Sequence, residues 1–201
     1  MKLAKTMVLL GVAAIAAMAF SATASATTLT NNNGETIGAG LVGETANVGE
    51  LALDGTVNIK CKKSFLKGEL TNAGGSESTV KGPISTLTAE ECGPNTVTIV
   101  SGGSLEVHTD KASANGDGIL TSTGLNATVL THNILGTVHC IYETSGTTFG
   151  TLDGSKNTGG KATLTIDSAA IPRLSTDFGC GSTSEMTGEY QVNSPSYLDV
   201  D

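Results

Sequence analysis

Four cysteines, Cys61, Cys92, Cys140 and Cys180, are the residues best suited to chemistry in this chain. An even number of thiols in an exported chain points to two disulfides rather than to a metal centre or a redox pair. Three pairings are open on count alone. Pairing Cys61 with Cys92 and Cys140 with Cys180 is favoured, because it closes two segments whose landmarks run in the same order. In the first, Cys61 is followed by Gly68-Glu-Leu70, Gly74-Gly75, Ile84 and Cys92. In the second, Cys140 is followed by Gly150-Thr-Leu152, Gly159-Gly160, Ile171 and Cys180. An internal duplication spanning 57–92 and 138–180 is the reading this order suggests.

The remaining reactive side chains form no convincing constellation. His108, His132 and His139 lack close ligand spacing, so they read as strand residues and not as a zinc site. Gly38-Ala-Gly40-Leu-Val-Gly43 matches the dinucleotide fingerprint, but turn and strand signals follow it where that fingerprint needs a helix. Asp153-Gly-Ser155-Lys-Asn157 resembles the opening of a calcium loop. Thr158 then stands at the sharp-turn position and Leu164 where a bidentate carboxylate belongs, so a polar hairpin turn is expected. No G-x-S-x-G elbow occurs and no cysteine is spare to act as a thiolate. The nineteen acids allow many carboxylate pairs of the glycosidase kind, but there is no tryptophan to form a sugar platform. Lys60, Lys62, Lys63 and Lys67 make the one basic cluster, which reads as a solvated face on an edge strand. No catalytic residue, cofactor or metal site is assigned.

The elements that must carry these residues are strands. Apolar residues recur at every second position in Val57, Ile59 and Cys61, in Val97 and Ile99, in Leu105 and Val107, and in Leu164 and Ile166. Clusters at Asn31 to Gly34, Ala73 to Gly75, Asn115 to Gly118 and Asn157 to Gly160 punctuate the runs as turns. About eleven or twelve strands are expected and no helix. The fold class is all-β, an antiparallel β-sandwich or flattened β-barrel stabilised by disulfides. Parity puts Gly136, Val138, Cys140 and Tyr142 on one side and His139 and Ile141 on the other, with the cysteines facing inward.

Lys2 and Lys5 precede an apolar run from Met7 to Phe20, which ends at Ala24-Ser25-Ala26. Residues 1–26 therefore read as a secretory signal peptide, with cleavage between Ala26 and Thr27. That leaves 27–201, 175 residues, as one all-β domain. Losing the two lysines leaves nine basic residues against nineteen acids, a charge near −10. Such acidity disfavours nucleic acid and anionic membrane surfaces as partners. No later segment is long and apolar enough for membrane insertion as a helix. A secreted location, extracellular or at the cell surface, is expected.

VNIKC, the strand end from Leu87 to Cys92, SLEVHTD, GTLDGS (Gly150 to Ser155), ATLTIDSAAIPR and the closing TGEYQV and YLDVD together resemble a group of small secreted actinobacterial β-proteins of unknown function. Met186 stands where that group usually has an aromatic residue. The Cys-flanked, Thr- and Gly-rich layout is more distantly similar to biofilm-associated secreted proteins described as activators of alkane oxidation. The resemblance implies secretion and supplies no catalytic residue. A non-catalytic structural, adhesive or matrix protein is the leading expectation, with cell-surface or matrix components as its partners. A small extracellular hydrolase acting on polymer and a carrier of an apolar ligand are the alternatives.

Overall fold

The computed structural model describes residues 26–55, 58–75, 79–110, 116–133, 136–175 and 178–201. Most of the expected signal segment lies outside the described residues, as do Val57 and Asn115. Among the described residues the strands are β1 (Thr27–Thr30), β2 (Val42–Asn47), β3 (Leu51–Asp54), β4 (Ile59–Cys61), β5 (Lys63–Glu69), β6 (Gly74–Gly75) and β7 (Val80–Glu90). They continue with β8 (Thr96–Ser101), β9 (Ser104–Thr109), β10 (Gly118–Asn133), β11 (Gly136–Asp153), β12 (Thr163–Pro172), β13 (Thr183–Ser194) and β14 (Asp199–Val200). One helical turn, α1 (Ser155–Thr158), lies between β11 and β12.

Eight of these strands form a closed antiparallel barrel in the order β2, β5, β7, β9, β10, β11, β12, β13, and β13 pairs back onto β2. Each barrel strand therefore lies beside the barrel strand that follows it in the chain. β13 explains the closure. Every second residue from Ser184 to Val192 is buried, so one face of the strand turns inward along its whole length. One edge of β13 bonds to β12, while the other bonds to β2 through Tyr190, Gln191 and Val192 and to β3 through Glu185, Met186 and Thr187. A strand with partners on both edges leaves no open sheet to pack as one layer of a sandwich. The architecture is thus a barrel, and the sandwich alternative is set aside.

β10 and β11 run 16 and 18 residues, well beyond the 5–6 of an average strand, and extend past the barrel wall. β10 changes partner on the way, from β9 up to Thr123 to β8 from Asn126 onward. The change takes place at a kink where Gly103 (φ 67°) and Gly124 (φ 74°) both have left-handed backbone. A Cβ at Gly103 would stand 2.3 Å from the Leu125 nitrogen, so only glycine fits. Inside the kink, Leu125 N–H donates to the buried Thr144 hydroxyl at 3.0 Å, and Thr144 in turn lies 3.0 Å from Ser122 Oγ.

One end of the barrel is covered by a three-stranded sheet, β14-β1-β6. Thr27 and Thr28 pair with Gly75 and Gly74, and Leu29 and Thr30 pair with Val200 and Asp199. Gly74-Gly75 is therefore a strand segment and not the expected turn. A Cβ on Gly74 would come within 1.9 Å of the Thr27 carbonyl oxygen, so the glycine serves close strand approach. The short strands β3, β4, β6 and β14 raise the number of segments above the expected eleven or twelve. Asn157 to Gly160, read as a turn, is the end of α1, capped by Gly159 in the left-handed region (φ 68°).

The core runs through the barrel. Tyr190 and Phe149 are its largest fully buried side chains, set among Leu51, Ile59, Leu120, Ile166 and Ile171. Tyr190 points its hydroxyl at Ser64 Oγ, 2.7 Å away, and Ser64 Oγ donates to the Thr88 carbonyl at 2.6 Å. A buried phenol needs such a partner.

Candidate functional site

Cys61 is bonded to Cys92 and Cys140 to Cys180, with no free thiol among the described residues. Cys61 ends β4, just before β5, and Cys92 follows β7, the strand that returns beside β5. Cys140 lies early in β11, and Cys180 follows β12, the strand that returns beside β11. Each bridge thus ties the entry of an outgoing strand to the exit of its neighbour. All four cysteines are buried.

The histidines are dispersed. His108 Nε2 lies 3.9 Å from Glu106 Oε2 on the same strand, His132 Nδ1 is 3.0 Å from Thr137 Oγ1 across the β10–β11 hairpin, and His139 is exposed. No group of three metal-binding side chains occurs among the described residues. The Gly38-to-Gly43 stretch turns at Gly40 (φ 86°), whose N–H donates to the Leu70 carbonyl, and passes directly into β2. The helix that would hold a pyrophosphate is replaced by a strand.

The lysine cluster departs from expectation in its surroundings. Lys63 and Lys67 lie on β5, an interior strand between β2 and β7 and not an edge strand. Lys63 pairs with Glu91, Lys67 with Glu44 at 2.7 Å and Lys60 with Glu50 at 3.4 Å. The hydrogen bond and charge of Glu91 raise the Lys63 pKa, and Lys63 lowers that of Glu91 in return. The cluster is therefore largely neutralised by its own neighbours.

The corner from Asp153 to Asn157 brings Asp117 and Asp199 close to α1. Asp117 Oδ1 accepts from Gly154 N–H at 3.0 Å and from Asn157 Nδ2 at 2.7 Å. Asp199 Oδ1 accepts from Lys156 N–H at 2.9 Å, and its Oδ2 accepts from the Tyr197 hydroxyl at 2.8 Å. That bond to Asp199 raises the Tyr197 pKa. Ser155 Oγ accepts from Leu198 N–H at 2.9 Å. Burial, followed by the charges of Asp117 and Glu189, raises the Asp153 pKa. Asp199 and Ser155 bind α1 to the segment that carries β14, and Asp117 binds it to the start of β10, so the corner is a joint between parts of the fold. Thr27, at the expected cleavage point, is buried in β1, while Ala26 is exposed. Thr27 Oγ1 accepts from Thr109 N–H at 3.0 Å.

An apolar pocket of about 120 Å³, partly open to solvent, lies between the barrel strands next to Leu29 of β1. Leu66, Val80, Val107, Leu152, Leu164 and Val192 contribute to its wall. Gly43, Gly68 and Gly82 line it from three successive barrel strands, β2, β5 and β7. They share inward parity with Thr45, Leu66 and Ile84. The sequence reading did not single out this set. The signal was present as glycine at an inward position in each of three alternating runs, but neighbouring runs first had to be placed side by side.

Comparison with protein-family models, with curated proteins and with solved structures finds no match to this chain.

Proposed function

We propose that this chain is a secreted, non-catalytic β-barrel that contributes to the cell surface or to an extracellular matrix, in keeping with the small secreted proteins it resembles. The observation that carries the reading is the engagement of its best-placed polar groups in construction. Asp117, Asp199 and Ser155, around α1, each accept hydrogen bonds that hold α1 and the β14 segment in place. Two disulfides and a closed strand order add the rigidity that an exported protein needs outside the cell. On the β8–β10–β11 extension, Thr96 and Thr98 of β8 and Thr128 of β10, which stands opposite Thr98, offer outer-face hydroxyls to a polar partner. Among the described residues no helix is long and apolar enough to cross a membrane.

Fractionation and immunolabelling of the native culture test the reading. The protein is expected in the surface or matrix fraction, evenly distributed. Recovery only as freely diffusing protein in the medium, with none retained, overturns it.

A further inference from the structure

We infer that the barrel cavity is a binding site for one compact, uncharged apolar molecule about the size of a single six-membered ring. Volume sets the size: an engineered cavity of about 150 Å³ lined by Leu, Ile and Phe in another protein stays dry and takes up benzene or xenon. The 120 Å³ here lies just below that. It falls well short of the roughly 300–1,000 Å³ of sites that enclose larger organic ligands, so a lipid or a sugar would not be held whole within it.

The lining sets the chemistry. Leucine and valine side chains dominate the wall, and the Thr45 hydroxyl in it already donates to the Leu66 carbonyl. No buried side-chain nitrogen or oxygen among the described residues lacks a hydrogen-bond partner. A polar ligand would therefore lose its water without regaining a bond. Glu69, Lys81 and Pro83 are the exposed lining residues, and with half-buried Leu41, Leu70, Ser194 and Pro195 they mark the open side of the pocket.

The glycines show that the space is built in. At Gly68 and Gly82 a Cβ would meet the backbone oxygens of Pro83 and Glu69 at 2.9 and 2.1 Å, so strand crossing requires glycine there. Gly43 is different. Its φ lies outside the left-handed region, and a Cβ would meet nothing nearer than the Ser194 and Gly68 oxygens at 3.9 and 4.0 Å. Neither backbone strain nor crowding calls for glycine at 43. A larger residue would fit, and its absence leaves room for a guest.

Benzene is the probe, titrated into the oxidised protein with methyl resonances as the readout. Saturable shifts are expected at Leu66, Val80, Val107, Leu152 and Leu164, together with a rise in Tm, since a ligand of the folded state alone stabilises it. Gly43→Leu, which fills the space, should abolish the saturable shifts and melt higher than the parent without benzene. Gly43→Ala adds a single methyl and should weaken binding about tenfold. It carries the comparison if Gly43→Leu does not fold by circular dichroism. Shifts that grow linearly and spread over the surface, or an affinity unchanged in a folded Gly43 variant, overturn the inference. None of these outcomes depends on where the protein resides in culture.

Discussion

At the scale of single residues, the buried hydroxyls carry the clearest consequences. Burial raises the Tyr190 pKa from 10.0 to about 12, against a smaller opposing effect of its hydrogen bond with Ser64. A folded-state pKa above the unfolded value means that the native state holds its proton more tightly. The stabilisation is complete below pH 10 and is lost as pH rises toward 12, on the order of 3 kcal/mol in all. Urea midpoints measured from pH 8 to 11.5 should fall steeply above pH 10 in the parent and less steeply in Tyr190→Phe. At neutral pH that variant should lose only about 0.5–1.5 kcal/mol, because Ser64 Oγ keeps its bond to the Thr88 carbonyl. Thr144→Val is the harsher change. It keeps the shape but takes the acceptor from Leu125 N–H inside the β10 kink, and should cost about 1–3 kcal/mol in chemical denaturation. Thr148→Val, on an exposed position of β11, should be near neutral. Parity alone identified the inward face of Cys140 and Tyr142, because a strand's period of two is written in the sequence. It did not identify Thr144 as a buried acceptor. That role depends on the bulges between Ser122 and Asn126, which no periodicity announces.

At the scale of elements, the disulfides brace the parts of the strands that overhang the barrel. Cys61 lies on β4, which is outside the closed ring of strands, and Cys140 lies in the portion of β11 paired with the β8 side of β10. The bridges span 31 and 40 residues, so each should contribute about 3–4 kcal/mol by the loop-entropy model. Replacing either pair by serines should lower stability by about that amount in urea titration. A loss confined to one pair would show that the other closes a segment already ordered in the unfolded chain. Elements were legible in the sequence wherever alternation was unbroken, as at Val97 and Ile99 in β8 and at Leu105 and Val107 in β9, and less so where it faltered. β12 shifts register between Ile166 and Ala169, with Ser168 in the left-handed region (φ 51°). The two-residue strands β6 and β14 carry too few positions for any pattern to register.

At the scale of the whole molecule, closure makes the two halves of the barrel interdependent. The seam between β9 and β10 joins them in the middle of the chain, and the seam between β13 and β2 joins residues more than a hundred positions apart. Opening either seam exposes the shared core, so unfolding should be a single cooperative transition. Far-UV circular dichroism and near-UV tyrosine signals should give coincident urea curves. Two separated transitions would mean that each half holds together without the other. Closure was the least legible feature of the fold, because alternation tells which way a side chain faces and not which strand lies beside it. The cavity depends on the same knowledge: Gly43, Gly68 and Gly82 become one wall only when β2, β5 and β7 are adjacent.

The cap sheet ties the order of synthesis to the order of assembly. β1 takes one set of its hydrogen bonds from β14, with Thr28 N–H donating to the Asp201 carbonyl at 2.7 Å and Asp201 N–H donating back at 2.8 Å. A ribosome produces β1 roughly 170 residues before that partner, at about 5–20 residues per second. For that interval of many seconds, one edge of β1 has no native mate. The sheet at the barrel end is thus assembled from strands made roughly 170 residues apart.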